Sequence, residues 1–325
     1  MTAPRLITSI FAIVLAGTAG CSNDSGPVTP PVTQGTISGK ATDVMGRPLI
    51  GVNIATTPPT LNATSGSDGT FSIPNVTAGT YTVRFVHPSF DTASVSATVI
   101  AGQSSTAELA LKERGLVAAW SFTGSARDMA ERGHDGVVTG ASPAPDRFGV
   151  AASALQFEGD DFVTVAHADD LVFSTSDFSV AAWVLLAGSQ ENFAGILSKC
   201  TPLAPEYGYQ LVIRDPDRFG IQIGSRVPTG QSYFDALATG SLTTNGWHFV
   251  CMVVSRGDRS VRLYVDGQPA GVQVSQHLDY SLMEDEPLYF GRERQGVRWF
   301  NGLIDDVRMF NRALAPVEVA TLATR

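Results

Sequence analysis

Short strand patterns separated by turns fill most of the chain and constrain its fold more than any other feature. Apolar and polar residues alternate through residues 81–86 and again through residues 177–184, as they do in strands with one buried face. Asp266-Gly267 is a strong hairpin signal. The only clear helical pattern covers residues 316–322, with a proline at its first position. Many closely spaced strands without intervening helices predict an all-β chain built from antiparallel sandwiches.

Length and charge limit the number of domains and the kinds of partner. The chain has 325 residues, enough for two domains. Strands become longer and loops richer in Asp and Gly after about residue 115, which predicts a first domain at residues 36–112 and a second at residues 115–325. The formal charge is −9 and the sequence has no Lys- or Arg-rich run, which argues against nucleic acid as a partner.

The first 35 residues have the composition of an export signal followed by a tether. Residues 1–20 carry one charge, at Arg5, then an apolar run too short to span a bilayer, and small residues up to Cys21. Residues 18–21 (TAGC) resemble a bacterial lipobox, which implies lipidation of Cys21; the alternative is a plain secretory signal cut nearby. Residues 21–35 are rich in Pro, Ser and Thr and predict an extended tether. We therefore expect a membrane-anchored lipoprotein of the cell envelope, at the outer membrane or cell surface.

Two cysteines remain if Cys21 carries lipid. Cys200 and Cys251 form an even pair in a chain that leaves the cytoplasm, and an oxidising compartment favours disulfides. The sequence therefore predicts a Cys200–Cys251 disulfide. The alternative is two buried free thiols, because Cys251 lies in an apolar strand pattern where a thiol packs well.

Four spaced motifs in the first domain carry a family resemblance. They are residues 39–43 (GKATD), 46–52 (GRPLIGV), 67–73 (SDGTFSI) and 78–83 (AGTYTV). These motifs resemble the carboxypeptidase regulatory-like, or transthyretin-like, domain. The resemblance implies a small β-sandwich that serves as a stalk or spacer. A zinc-peptidase domain does not follow in this sequence, so the family name implies no peptidase activity here.

Motifs through the second domain carry another resemblance. They include residues 120–122 (WSF), 178–183 (FSVAAW), 247–250 (WHFV), 263–267 (LYVDG) and 302–314 (GLIDDVRMFNRAL). In this order they resemble the laminin G-like jelly roll of the concanavalin A-like lectin and glucanase fold. The resemblance implies a two-sheet jelly roll that the last of these stretches closes.

Glycoside hydrolases also use this fold, but their paired carboxylates have only weak counterparts in this sequence. The nearest candidates are Glu284 and Glu286, and Pro287 directly after them favours a solvated acidic turn over a catalytic strand. Nucleophile-elbow, zinc-peptidase and Cys-x-x-Cys motifs are absent from the sequence, and its five histidines lack metal-ligand spacing. We therefore expect no enzyme activity and name no catalytic residue.

Asp305 raises the question of a metal ion. At strand period it shares a face with Leu303, Val307 and Met309, and a carboxylate that faces a core needs an ion partner, hydrogen bonds or a metal. The jelly-roll resemblance implies calcium between the early loop of the domain and the closing stretch, with Asp128 and Asp305 as ligands. The alternative is that Asp305 accepts backbone hydrogen bonds or pairs with an arginine.

Aromatic and arginine residues near predicted loops are the candidates for a ligand face. We single out Trp299, Tyr209 and Arg292, and we expect Trp299 to point outward because its neighbour Phe300 should face the core. The predicted function is a non-catalytic binding or adhesion protein whose jelly roll contacts glycans or cell-surface proteins, with calcium as the candidate cofactor. The alternatives are a structural envelope spacer without a ligand, and a glycosidase whose carboxylates meet in a groove.

Overall fold

The computed structural model describes residues 32–282 and 284–324. The predicted signal peptide, the lipobox with Cys21 and the tether up to residue 31 lie outside the described residues. Within the described part of the chain, no helix has the length and the apolar character needed to cross a membrane. The described residues form two β-sandwiches, one after the other, which is the all-β fold that the strand pattern predicts.

The first sandwich packs two four-stranded sheets face to face. Its strands are β1 (Gln34–Asp43), β2 (Asn53–Thr57), β3 (Ala63–Thr64), β4 (Thr70–Thr77), β5 (Gly79–Val86), β6 (Ala93–Val99), β7 (Ser104–Thr106) and β8 (Leu109–Leu111). One sheet has the order β4-β1-β7 with β8 also paired to β1, and the other has the order β3-β2-β5-β6. Alternate residues such as Ile54, Val83 and Phe85 fill the core between them.

The second sandwich is a jelly roll of a seven-stranded and an eight-stranded sheet. Its elements are β9 (Leu116–Trp120), β10 (Gly136–Thr139), β11 (Ser142–Ala144), β12 (Ala154–Phe157), β13 (Phe162–Val165), β14 (Phe178–Leu186), β15 (Ala194–Cys200), β16 (Gly208–Arg214), β17 (Arg218–Gly224), β18 (Tyr233–Leu237), β19 (Trp247–Ser255), β20 (Ser260–Val265), β21 (Gln268–Val274), β22 (Leu288–Phe290), β23 (Gly302–Phe310), the helix α1 (Pro316–Leu322) and two 3-10 turns (Asp169–Leu171 and Gln276–Asp279). The seven-stranded sheet has the order β10-β13-β22-β15-β16-β17-β18. The eight-stranded sheet has the order β11-β12-β23-β14-β19-β20-β21, with β9 paired to β23.

Alternation along β14 explains how the two sheets face each other. Phe178, Val180 and Val184 enter the core between the sheets, whereas Ala181 and Trp183 point to the opposite, outer face of the eight-stranded sheet. Burying one large apolar side chain contributes roughly 1.5–3 kcal/mol. The period of two in the sequence therefore decides which face of this strand is turned toward the other sheet.

The helix α1 covers the outer face of the eight-stranded sheet. Val319 and Leu322 pack there in an apolar cluster separate from the core between the sheets. Ala315, the residue before the helix, offers no capping side chain. Glu318 instead accepts a hydrogen bond from the Ala315 N–H at 2.9 Å and binds Arg312 through both carboxylate oxygens. These bonds tie down the first turn of the helix in place of a cap.

The two sandwiches are in direct contact. Val44 and Met45, in the turn after β1, pack against the apolar cluster beneath α1. Lys112, at the end of the first sandwich, donates a hydrogen bond from Nζ to the Ala130 carbonyl at 2.6 Å. The sequence predicts the first domain as a stalk or spacer, and this prediction did not include its contact with the second domain.

Candidate functional site

A β-bulge in β23 changes the face on which Asp305 lies. The register between β23 and β14 shifts just before Trp183, and Asp306 has a left-handed backbone conformation with φ of 47°. Ile304 and Val307 both enter the core, while Asp305 lies opposite Trp183 on the outer face. The prediction that Asp305 faces the core is therefore wrong, because one extra residue interrupts the alternation.

Arginines neutralise the two aspartates at this bulge. Arg147 Nη1 lies 3.0 Å from Asp305 Oδ2 and 2.8 Å from Asp306 Oδ2. Arg47, from the first sandwich, also forms an ion pair with Asp306. Burial, followed by the charge of Asp306, raises the pKa of Asp305 above its ordinary value. These contacts support the alternative in which Asp305 pairs with an arginine and does not bind calcium.

Arg308 makes a second buried contact between the domains. Its side chain is 1% exposed, and Nη2 donates to Asp43 Oδ2 at 3.0 Å while Nε lies 3.5 Å from Glu113 Oε1. The other oxygen of Asp43 accepts the N–H groups of Met45 and Arg47, both at 2.9 Å. The side chains of Arg308, Asp43 and Glu113 are buried away from water, where an unpaired charge is costly. The contact between the domains therefore depends on their pairing.

Asp128 is an anchor for its loop. Its Oδ1 accepts the N–H groups of Ala119 at 3.1 Å and Ala130 at 2.9 Å. Its Oδ2 accepts the N–H groups of Arg132 at 2.9 Å and His134 at 3.4 Å. These four backbone donors occupy both oxygens, which leaves the carboxylate little capacity to bind a metal ion as well.

The predicted ligand pair fits calcium poorly. Calcium binds about six to eight oxygens, mostly of carboxylates and carbonyls. Among the described residues, no three His, Cys, Asp or Glu side chains are grouped so that they could hold a metal ion. Asp128 binds backbone amides and Asp305 binds Arg147, so the two carboxylates serve different partners. Calcium binding stays a prediction.

The predicted disulfide is wrong. Cys200 and Cys251 are both free and buried. Cys200 ends β15 in the seven-stranded sheet, whereas Cys251 in β19 points away from that sheet into the outer-face cluster with Phe249 and Val253. The alternation of side chains along β19 therefore keeps the two thiols apart. Burial raises the pKa of the Cys200 thiol to about 12, which makes it a poor nucleophile.

The outer face of the seven-stranded sheet carries a transverse row of mostly polar side chains. Side by side on adjacent strands lie Thr164, Tyr289, Ser198, Gln210, Gln222 and Asp235. With strands about 4.8 Å apart, the row extends about 24 Å across the sheet. Sequence reasoning missed this row because it depends on the register between strands that are far apart in the chain.

Hydrogen bonds tie the middle of this row together and cover it. Gln210 donates from Nε2 to Gln222 Oε1 at 2.7 Å, and Gln222 donates from Nε2 to Asp235 Oδ1 at 3.1 Å. Arg294, from the loop after β22, donates to Gln222 and pairs with Glu206. The two glutamines are 2% and 5% exposed. The middle of the row is therefore covered, whereas Asp235 at one end and Tyr289 at the β22 end are partly exposed.

Trp299 and Arg292 come together at that end. They form an antiparallel β-bridge, and the Arg292 guanidinium lies 4.0 Å from the ring centroid of Tyr289, 5.4 Å from that of Phe162 and 5.9 Å from that of Trp299. Phe300 is buried in the core, and Trp299 is partly exposed on the outside, as the sequence predicts. Arg292 forms no ion pair with any described residue. The Arg292 guanidinium instead packs against the faces of aromatic rings.

A cavity of about 250 Å³ adjoins Trp299. It is lined by Gly159, Ser189, Gln190, Glu191, Trp299 and Asn301. Gln190 is fixed in place because its amide donates to the carbonyls of Gly188 and Asn301 and its oxygen accepts the Asn301 N–H. An indole beside hydroxyl, amide and carboxylate groups suits a small ligand with one apolar face and several hydroxyl groups.

Two other residues from the sequence predictions lie in buried positions. Tyr209 is 1% exposed in the core between the sheets, and its hydroxyl donates to the Leu171 carbonyl at 2.9 Å. Its predicted role in ligand binding is wrong, because this position of β16 faces inward. Glu284 is buried and pairs with Lys199 at 2.9 Å, so it is not available to act on a substrate together with Glu286.

Family models match both parts of the chain, in the predicted order. The model of the concanavalin A-like lectin/glucanases superfamily matches residues 157–320. The model of the carboxypeptidase regulatory-like domain matches residues 36–112. No curated protein matches the sequence.

Three solved structures are similar to the jelly roll. Domain 4 of AbnA, a GH43 extracellular arabinanase from Geobacillus stearothermophilus in complex with arabinotriose, is 17% identical, with a TM-score of 0.51 over 64% of this chain and 98% of that chain. The binding domain of Paraclostridial Mosquitocidal Protein 1 is 17% identical, with a TM-score of 0.50 over 64% of this chain and 52% of that chain. The binding domain of botulinum neurotoxin serotype D is 16% identical, with a TM-score of 0.50 over 65% of this chain and 50% of that chain.

The chain thus spans about half the length of the two toxin binding domains and nearly all of the arabinanase domain. At these identities the likeness concerns the fold. The superfamily model covers about half of the chain and lies within the observed jelly roll. The protein therefore belongs to the concanavalin A-like lectin/glucanases superfamily and carries a carboxypeptidase regulatory-like domain on the N-terminal side of its jelly roll.

Proposed function

We propose that the protein is a non-catalytic carbohydrate-binding protein whose site is centred on Trp299. The observation that carries this proposal is the position of the partly exposed indole, between the Arg292 aromatic cluster and a cavity lined by polar groups. The cavity volume of about 250 Å³ is just below the roughly 300–1,000 Å³ of sites for drug-sized molecules. It therefore suits a ligand group of about one sugar unit.

The chemistry of the lining favours a neutral sugar. The C–H face of a sugar ring can pack on the indole of Trp299, while its hydroxyl groups bond to Ser189 and Glu191 in the cavity. Arg292, which has no carboxylate partner among the described residues, can donate to a hydroxyl on the other side. One carboxylate and one guanidinium flank the indole, and the whole chain carries −9, so the surroundings do not favour a polyanion.

The similar fold of the arabinanase domain, whose structure contains arabinotriose, supports carbohydrate as the first class of ligand to test. A glycan array probed with the chain from residue 22 onward is expected to give binding, followed by calorimetry with the best glycan. Replacing Trp299 with Ala should cost about 2 kcal/mol, roughly a 30-fold rise in Kd, because a packed aromatic anchor is lost. Trp299→Phe should retain most of the affinity.

A matched control is Gln273→Ala, which removes an exposed side chain on β21 in the other sheet. It should leave Kd unchanged. An unchanged Kd for Trp299→Ala would place the glycan elsewhere. Binding to no glycan on the array would contradict the proposal and favour a structural spacer in the envelope.

We further propose that lipid on Cys21 and the tether at residues 21–35 hold this module at the cell envelope. The apolar run, the small residues before Cys21 and the Pro-rich segment after it support this proposal. Mass spectrometry of the mature protein should find an acylated peptide that begins at Cys21. A mature protein that begins downstream with an unmodified N-terminus would contradict it.

A further inference from the structure

Seven charged side chains meet where the two domains touch. They are Asp43, Arg47, Glu113, Arg147, Asp305, Asp306 and Arg308, which we call the interdomain charge cluster. Each of these side chains is at most 16% exposed. Charges so far removed from water are tolerated only when opposite charges compensate them.

The compensation is reciprocal between the domains. Arg47 of the first sandwich pairs with Asp306 of the jelly roll. Arg308 of the jelly roll pairs with Asp43 of the first sandwich at 3.0 Å. Each domain therefore supplies a counter-charge that the other needs, which a simple spacer does not do.

Arg147 holds the centre of the cluster. One nitrogen, Nη1, contacts both Asp305 and Asp306, and the guanidinium lies 4.5 Å and 4.3 Å from the ring centroids of Phe148 and Trp183. The two rings restrict the position of the cation above the aspartates. A guanidinium also cannot lose its proton in a protein, so the positive charge is permanent.

A space lined by both polar and apolar groups borders these aspartates. A cavity of about 260 Å³ is lined in part by Ser121, Thr123, Asp146, Asp305 and Asp306. The Oδ1 atoms of Asp305 and Asp306 are buried and have no hydrogen-bond partner among the described residues. Carboxylate and hydroxyl groups therefore line the same space as the two aspartates, whose Oδ2 atoms are occupied by arginine.

We propose that Arg147 and Arg47 supply the positive charge beside Asp305, where the fold resemblance places calcium together with Asp128, and beside its neighbour Asp306. The first domain is thereby a fixed structural part of the jelly roll. Two guanidinium groups carry the same charge as one calcium ion. They compensate two consecutive carboxylates that the bulge places together on the outer face of β23. One of the two arginines comes from the other domain, so the closing strand of the jelly roll depends on that domain for its neutralisation.

Thermal unfolding of the chain from residue 22 onward, with a chelator and with ~1 mM calcium, tests this proposal. The unaltered protein should melt at the same temperature in both. Arg147→Ser should melt lower in the chelator and regain part of the loss in calcium, because Asp305 Oδ2, which then has no arginine partner, and the oxygens that line the neighbouring space accept the ion. Calorimetric titration should show calcium binding to this variant and none to the unaltered protein.

Controls separate this effect from a general loss of stability. Arg147→Lys keeps a cation at the position and should not respond to calcium. Arg259→Ser removes an exposed partner of Asp279 and should not respond either. Should Arg147→Ser fail to fold, Arg47→Ser opens the more exposed side of the same cluster and should gain the calcium response.

Two results would overturn the proposal. A rise in the melting temperature of the unaltered protein with calcium would show that the ion itself, and not arginine, neutralises the closing strand. Folded serine variants that remain insensitive to calcium would show that the arginines do not occupy the place of a cation.

Discussion

Replacing Arg308 with Met removes a buried cation from the domain interface. The guanidinium is buried, 3.0 Å from Asp43 and 3.5 Å from Glu113. Methionine retains much of the apolar stem and none of the charge. Asp43 and Glu113, two buried carboxylates on the first-domain side of the contact, then lose this partner from the jelly roll, so the domain contact and the closing strand should both weaken.

The size of the effect distinguishes a buried interface from a surface contact. Removing one partner of a buried ion pair costs roughly 3–5 kcal/mol, because the remaining charge stays out of water. An exposed pair contributes only about 0–1 kcal/mol. For domains of this size, each kcal/mol corresponds to roughly 2–4 °C in Tm, so the expected loss is about 6–20 °C.

Urea unfolding followed by circular dichroism measures this cost, with Arg259→Met as the matched control. Arg259 pairs with Asp279, and its side chain is 52% exposed, so the control should lose no more than about 1 kcal/mol. Asp43→Asn in the Arg308→Met background should restore part of the stability, because it removes one unpaired charge. The side-chain oxygen of an asparagine can still accept the two backbone N–H groups that Asp43 binds.

A loss of less than about 1 kcal/mol for Arg308→Met would refute the buried interface, since it would match an exposed pair. The buried interface would also be refuted if the free-energy changes of Arg308→Met and Asp43→Asn were strictly additive in the double variant. Contacting charges are expected to couple by roughly 0.5–3 kcal/mol.

Three further predictions concern residues outside the interdomain charge cluster. Tyr209→Phe should cost about 1 kcal/mol in urea unfolding, because a buried hydrogen bond is lost, and it should not change glycan affinity; a weaker affinity would contradict its place in the core. Under denaturing conditions, Cys200 and Cys251 should take up an alkylating label equally with and without prior reduction, and label that appears only after reduction would restore the disulfide. The hydrogen bond from Arg312 lowers the pKa of Glu318 below its ordinary 4.5, so its contribution to stability is present above pH 4.5 and is lost as the pH falls through the lowered value. The Tm of Glu318→Gln should therefore depend less on pH in that range than the Tm of the unaltered protein.

Local periodicity in the sequence determined the elements and the class of fold. Alternation through residues 177–184 predicts β14, and the helical pattern at residues 316–322 has the bounds of α1. The motif order that predicts a regulatory-like sandwich followed by a jelly roll is confirmed by the two family models. The outward position of Trp299 follows from the same local rule, because its neighbour Phe300 faces the core. These features depend on residues that are close in the chain, where period and turn chemistry are visible.

Tertiary structure alone decided which side chains meet. The sequence prediction for Asp305 assumed that side chains alternate without interruption along β23. The bulge at Asp306 breaks this alternation, and the bulge can be recognised only from the pairing of β23 with β14. Arg308 and Asp43 lie 265 residues apart in the sequence, and the row that includes Gln210 and Gln222 requires the register of six strands at once. The pattern of a single sequence shows which side chains share a face of a strand, but it does not show which strands pair. Strand register and domain docking depend on burial and on charge compensation between segments that are far apart in the chain.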